Sequence, residues 1–233
     1  MRMFRALVSA FSIFLCAPVW ACEIALVLAV DVSGSVDRDE YRIQMDGLAE
    51  AFRDPTVAGT LVAGKAAIMV VQWTGTTRQA VSVPWVQVTS PDDLEALARR
   101  IERVPREWRN YSTAIGEALT FSAKQFETAP VCDRRVIDIS GDGTSNEGIA
   151  PDEVRAGLDR LDITVNALVI EGAEPDLTAY YRRHVISGAG AFVITANSYD
   201  DYPKRMRMKL LREVTDPVSM RVQPRLRTAL RSH

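Results

Sequence analysis

Apolar positions fall along this chain in two alternating rhythms. Residues 24–30 form an unbroken apolar run, the pattern of a strand buried on both faces, and the run stops at Asp31-Val-Ser-Gly-Ser35. Tyr41, Met45, Leu48 and Phe52 then recur at spacings of four, three and four, which predicts a helix ending at Asp54-Pro55. Residues 66–73 repeat the buried-strand pattern. Residues 79–88 alternate and contain Pro84, which predicts an edge strand, because proline cannot donate to a ladder on both sides. Ser90-Pro91-Asp92 opens a helix with Leu94, Leu97 and Ile101 on one face.

A loop over 105–112 leads into a predicted helix over 113–126, then a strand over 135–140 that ends in Gly141-Asp142-Gly143. Helices over 151–161, 177–185 and 199–214 alternate with strands over 163–170 and 191–196. Such alternation predicts an α/β sheet of mostly parallel order. No internal repeat or composition break precedes residue 215, so 22–214 reads as one domain and 215–233 as a basic C-terminal tail.

The first residues are an address rather than structure. Arg2 and Arg5 precede an apolar run over 6–17, followed by Pro18-Val19-Trp20-Ala21, which predicts a signal peptide over 1–21. The run is too short for a permanent span, and no later stretch is apolar for long enough, so no transmembrane segment is expected in the mature chain. The predicted location is exported, periplasmic or secreted. Cleavage after Ala21 makes Cys22 the first mature residue, which opens a lipoprotein anchor at Cys22 as an alternative. That alternative stands second, because Val19 and Trp20 occupy places where such a signal carries Leu and a small residue. Cys16 leaves with the leader. The remaining pair, Cys22 and Cys132, suggests one disulfide in an exported chain.

Charge changes the picture more than composition does. The 233 residues are 47% apolar and 25% charged, ordinary values for a soluble globular protein. The near-balance of 28 basic and 30 acidic residues conceals a split: 22–202 carries a net −11, while 203–233 is basic. A body this acidic argues against nucleic acid as a partner, since such affinity comes mostly from neutralising phosphates. It fits a cation-binding surface. The tail's Arg221, Arg225, Arg227 and Arg231 read as a solvated end.

Candidate chemistry gathers at predicted strand ends, where open α/β sheets bind ligands. Asp31, Ser33 and Ser35 follow the first strand, Asp142 follows the strand over 135–140, and Thr113 opens a helix. Every donor is an oxygen, and no His or Cys pair has metal-ligand spacing. A hard cation such as Mg²⁺ is therefore favoured over zinc or copper. A plainer reading makes Asp-x-Ser-x-Ser a helix cap, with Ser35 or Asp37 satisfying the first N–H groups, and Thr113 another. A third gives the site its residues but no resident metal.

Enzyme motifs are missing. There is no Gly-x-Ser-x-Gly elbow or Walker loop, and Ser33 breaks the Asp-x-Asp of a phosphatase. His184 lies on a predicted helix with Arg182 and Arg183 and reads as a surface residue. No enzyme is predicted. Trp108-Arg109-Asn110-Tyr111 precedes Thr113 and either lines a contact surface or packs over the metal. Glu147 is a candidate to cap the metal in the free protein.

Taken in order, Asp31-x-Ser33-x-Ser35, Thr113-x-Ile-Gly-x-Ala-Leu119 and Asp142-Gly143 resemble the metal-ion-dependent adhesion site of von Willebrand factor A (VWA) domains. The resemblance covers residues 23–214, and the stretches 25–36 and 134–143 look like a group of uncharacterised, exported bacterial proteins with this fold. It implies a single doubly wound, Rossmann-like sheet of six strands in the order 3-2-1-4-5-6, mostly parallel with one antiparallel edge strand, with helices on both faces. It implies that Ser33, Ser35 and Thr113 hold Mg²⁺ or Mn²⁺ directly or through water, while Asp31 and Asp142 mostly hold the coordinated waters. The implied activity is metal-dependent binding, with the cation bridging to an Asp or Glu carboxylate of a protein or peptide partner. A scaffolding module of an envelope complex, its site unused, is the alternative, and a metal-assisted hydrolase comes third. The implied strand order also makes the first strand and the strand over 135–140 parallel neighbours. Cys22 lies nine residues before Asp31 and Cys132 ten before Asp142, so a Cys22–Cys132 disulfide follows from that order. Oligomeric state is left open.

Overall fold

A computed structural model describes residues 22–172 and 176–215. The expected leader, and the expected tail beyond Thr215, lie outside the described residues. The elements are β1 (Cys22–Asp31), α1 (Arg38–Arg53), α2 (Pro55–Ala63), β2 (Ala67–Trp73), β3 (Gln79–Gln87), α3 (Pro91–Glu102) and α4 (Ile115–Gln125). They continue with β4 (Cys132–Gly141), α5 (Pro151–Arg160), β5 (Ile163–Ile170), α6 (Leu177–Tyr180), β6 (Val193–Ala196) and α7 (Tyr202–Thr215).

One six-stranded sheet runs β3-β2-β1-β4-β5-β6, with β3 antiparallel to β2 and every other pair parallel. This is the implied order. Alternation along β1 explains why its apolar run is continuous. Leu26, Leu28 and Val30 pack toward α1, α2, α3 and α7, while Val27 and Ala29 pack toward α4, α5 and α6. With helices on both faces, each position needs an apolar side chain. Pro84 lies where the β2–β3 register shifts between Ile68/Val86 and Val70/Val83, so the edge strand takes proline at an irregularity.

Several boundaries differ from the sequence expectation. Helix α2 carries no periodic signal, because it buries only Val57 and Leu61. Asp54 makes it: having closed α1, its carboxylate accepts from the N–H groups of Thr56 (3.0 Å) and Val57 (3.1 Å), with Pro55 at the first turn. The helix expected over 199–214 starts as a 3-10 turn, Tyr199–Asp201, before α7 proper. Helix α6 is one short turn that widens into a π turn at Tyr181–Val185.

Cys22 and Cys132 are direct register partners on β1 and β4 and form a disulfide, with their Cα atoms 4.4 Å apart. The bond joins the lower ends of the two central strands and closes a loop of 110 residues. Chain entropy alone gives such a closure a stabilisation of about 4–5 kcal/mol. A lipid on Cys22 needs the same sulfur, so the two alternatives exclude each other, and the structure takes the disulfide. No helix among the described residues is long and apolar enough to cross a membrane.

Candidate metal centre

At the carboxyl ends of β1 and β4 the sheet order brings two Asp-bearing loops together. Asp31 is the last residue of β1, paired with Trp73 of β2, and the chain turns off the sheet there with Val32 N–H donating to the Trp73 carbonyl at 3.0 Å. The Asp31 carboxylate accepts from Ser33 N–H at 2.7 Å. Arg106 pins the same turn by donating to the carbonyls of Val32 (3.1 Å) and Ser33 (2.9 Å). The hydroxyls of Ser33 and Ser35 lie 3.1 Å apart, and Ser35 donates to one Asp142 oxygen at 2.6 Å. Tyr199 donates its hydroxyl to the other Asp142 oxygen at 2.8 Å. Four of the five expected site residues thus form one connected chain.

Thr113 reaches the same end of the sheet on a loop clamped by backbone. Gly34 N–H donates to the Tyr111 carbonyl at 2.7 Å, and a β-carbon on Gly34 would lie 3.2 Å from that oxygen, so the two loops meet closely because residue 34 is glycine. Thr113 N–H donates to Asn146 Oδ1, and Asn146 N–H returns a bond to the Thr113 carbonyl, both at 2.9 Å. The expected helix start at 113 is corrected here, since α4 begins at Ile115. Its first N–H groups are met by a distant loop, with Ile115 N–H donating to Ser145 Oγ at 3.2 Å.

The plainer capping reading is met in part, through Asp37 and not through Ser35 or Thr113. Helix α1 is capped by Asp37 in a reciprocal box with Glu40, so Ser33 and Ser35 are not needed there. Ala114 rather than Thr113 stands at the cap position of α4, and no side chain of its own caps that helix.

Electrostatics leave the centre short of positive charge. Asp31 is fully buried, and burial first, then the charge of Asp142, push its carboxyl up to about 8. Its Oδ2 has no hydrogen-bond partner. Gly141 borders that atom, and a β-carbon there would lie 3.1 Å from it. Burial, followed by the Asp142 charge, also drives the Tyr199 hydroxyl far above its ordinary range. Among the described residues no three His, Cys, Asp or Glu side chains gather into a cage. What stands here is two carboxylates with hydroxyls beside them, a set of oxygen donors suited to a hard divalent cation.

Several participants were invisible in the sequence. Tyr199, Arg106, Asn146 and Ser145 act through contacts with residues far along the chain, and no local motif marks them. The aromatic loop divides: Trp108 packs, half-buried, against the core on the α1 face of the sheet, while Tyr111 is 39% exposed, with the Arg78 guanidinium 3.7 Å above its ring. Glu147 does not face the carboxylate pair. It takes the Ser112 hydroxyl and the Thr76 N–H, and the Ser112 bond holds its carboxyl below the usual range. His184 lies against Asp152 of α5 at 2.6 Å. An open cavity of about 490 Å³ borders the centre, lined by Ser35, Glu40, Ile43, Asp142, Tyr199 and Asp200 among others. A somewhat larger cavity of about 550 Å³ opens at the opposite end of the sheet, beside Phe126, Leu158 and Ile163, away from these donors.

Solved structures share this fold. Proximal thread matrix protein 1 from the mussel byssus is 19% identical, with a TM-score of 0.63 over 82% of this chain and 48% of its own. The same byssus protein with a zinc-occupied MIDAS motif gives 17% and 0.60, over 82% of this chain and 48% of that one. A von Willebrand factor type A protein from Catenulispora acidiphila gives 17% and 0.59, over 83% and 43%. This chain therefore spans less than half the length of each, and at these identities the likeness establishes the fold. No curated protein matches the chain. A family model described as "Protein of unknown function (DUF1194)" matches residues 21–218, which include every described residue. The fold is that of a VWA domain, and the chain belongs to the DUF1194 family.

Proposed function

We propose that this protein is an exported, metal-dependent binding module. Asp31, Ser33, Ser35, Thr113 and Asp142 hold Mg²⁺ or Mn²⁺, and an Asp or Glu carboxylate of a protein or peptide partner completes the site. The observation that carries this reading is the fully buried Asp31 oxygen without a hydrogen-bond partner, with a second carboxylate close by. An uncompensated buried charge costs several kcal/mol, and a cation there offsets it. When bound, the cation supplies a Lewis-acidic position that neutral hydroxyl donors do not quench.

The chain's own residues do the rest. Ser33 N–H aims the Asp31 carboxylate, Tyr199 aims Asp142, and the Gly34–Tyr111 contact sets the loop that carries Thr113. Tyr111 and Arg78 form a rim on which partner residues next to the bridging carboxylate rest. Zinc in the MIDAS motif of the byssus protein supports divalent occupancy of this fold in general. The leader over 1–21 and the Cys22–Cys132 disulfide support export to an oxidising compartment, periplasmic or secreted. The activity is binding rather than turnover.

Thermal melts and calorimetric titration with Mg²⁺, Mn²⁺ or EDTA test this. A cation at about 100-fold over its Kd adds roughly 2.7 kcal/mol, and Asp31→Ala abolishes the gain. A wild-type protein that neither binds a divalent cation in the titration nor shifts its melt sinks the reading.

A further inference from the structure

Beneath α7 lies a second polar cluster that cation binding does not use. Asp138 stands in the middle of β4, on the same face as Val136, and Lys209 and Glu213 lie one turn apart on the buried side of α7. The three are 2%, 0% and 3% exposed. Lys209 Nζ touches the Asp138 carboxylate and lies 3.8 Å from Glu213 Oε2. Yet neither Asp138 oxygen nor the Lys209 amine has a hydrogen bond of sound geometry. Glu213 is better held: both its oxygens accept from Asn166 Nδ2, at 3.0 and 2.9 Å. Asn166 is itself fixed, since its Oδ1 accepts from Phe192 N–H at 2.8 Å, which leaves only its amino group to face Glu213. The Phe192 ring lies 5.5 Å from Lys209 Nζ, and Tyr202, Met206 and Leu210 close the surroundings as buried neighbours.

As an ion pair this arrangement is poor. A buried pair is repaid only when further hydrogen bonds satisfy its remaining donors and acceptors. Here an ammonium with three donors meets the carboxylate at one contact, and none of its donors makes a well-aligned bond. As a reacting pair it is well placed. Amine and carboxyl are in contact, which removes the entropic cost of bringing them together. A second acid, Glu213, lies within reach of the nitrogen, and the apolar wall favours loss of water over its return.

We propose that Lys209 and Asp138 condense into an intramolecular amide that joins α7 to β4. One proton passes from the Lys209 ammonium to the Asp138 carboxylate it touches, and the freed nitrogen then attacks Cγ of the protonated carboxyl and forms the C–N bond. Glu213 takes one proton from that nitrogen and passes it to the departing hydroxyl. The C–O bond then breaks and one water leaves, so one carboxyl and one amine become one amide with no change of oxidation state. Asn166 acts as a positioning residue, through Glu213. Burial pushes the Asp138 carboxyl upward, which favours the protonated form that is attacked, and raises Glu213 too, which makes its carboxylate a better acceptor of the proton from the nitrogen.

The bond has a mechanical consequence. Strand β4 is already tied to β1 through Cys22–Cys132. With Asp138 tied to Lys209, tension between residue 22 and the end of α7 runs through the disulfide, residues 132–138 and the amide. Residues 23–131 and 139–208 are bypassed, and α7 cannot slide along β4.

Intact mass spectrometry of the folded full chain, reduced and denatured just before measurement, tests this directly. The expected mass is that of the processed sequence less one water, and a proteolytic digest contains a branched peptide joining residues 138 and 209. Glu213→Gln restores the full mass. Asp138→Asn loses ammonia in place of water if the variant reacts. A folded wild-type protein at its full sequence mass overturns the proposal. So does a loss of water without the joined peptide, which marks a cyclised aspartate. Neither result depends on the cation site, and Asp31→Ala leaves the mass loss unchanged.

Discussion

Asp138 and Asp142 stand four residues apart around the upper half of β4, and they keep opposite company. Asp142, just past the strand end, shares its surroundings with a second carboxylate, Asp31, and with hydroxyls of Ser35 and Tyr199, beside an open cavity. Asp138, inside the sheet, meets Lys209 under a closed lid of α7. The first cluster has like charges and an open side, so the proposed function has its deficit met from outside. The second carries its own cation and has no open side. Burial raises the Asp31 and Asp138 carboxyls alike. What differs is where the compensating charge comes from, and that decides whether a polar cluster serves as a binding site or as a fastening.

The comparison breaks most visibly if the inner cluster loses its cation. Lys209→Met removes the amine that the proposed amide needs and leaves Asp138 as a free carboxyl facing Glu213 in the core, at a cost of about 3–5 kcal/mol in denaturant unfolding at neutral pH. Both carboxyls are raised above their unfolded values, so each binds protons more readily in the folded state. The cost therefore shrinks as pH falls toward the carboxylate range. A deficit that grew on acidification would contradict this account.

A smaller effect sharpens the outer cluster. Tyr199→Phe removes the hydroxyl that aims Asp142 and costs about 1.5 kcal/mol, as for a hydrogen bond to a charged group. Cation affinity measured by titration falls on the order of tenfold, the usual scale for losing a partner that orients a ligand. Unchanged affinity would show that Asp142 needs no such support.

The smallest change separates the cap from the site. Asp37→Ala removes the α1 capping box at a cost of about 1 kcal/mol in the melt. Because Ser33 and Ser35 take no part in that box, cation affinity stays at the wild-type value. A parallel loss of affinity would mean that the start of α1 and the donor loop act as one unit.

Much of this architecture was legible beforehand. Strands β1, β2 and β5 announce themselves because a strand covered on both faces is apolar at nearly every position. Asp31, Ser33 and Ser35 share one short motif, and Thr113 and Asp142 were found by matching that motif's companions in order. Local signals failed where burial is slight or the partner is distant. Helix α2 buries too little to show a period, and α4 starts late because Ser145, thirty residues onward, supplies the cap.

The sequence by itself determined most of the strands and helices and which strand ends carry oxygen donors. Those properties follow from periodicity and residue type, which are local. The tertiary structure alone decided that Tyr199 holds Asp142, that Glu147 turns to Ser112, and that Asp138 meets Lys209 and Glu213. On paper Asp138 interrupts an apolar strand, and Lys209 and Glu213 are two charges on a basic helix. Only the order β1-β4-β5, with α7 laid across one face, places them together in the dry interior. There the cost of unpaired charge, negligible in water, governs what each residue must do.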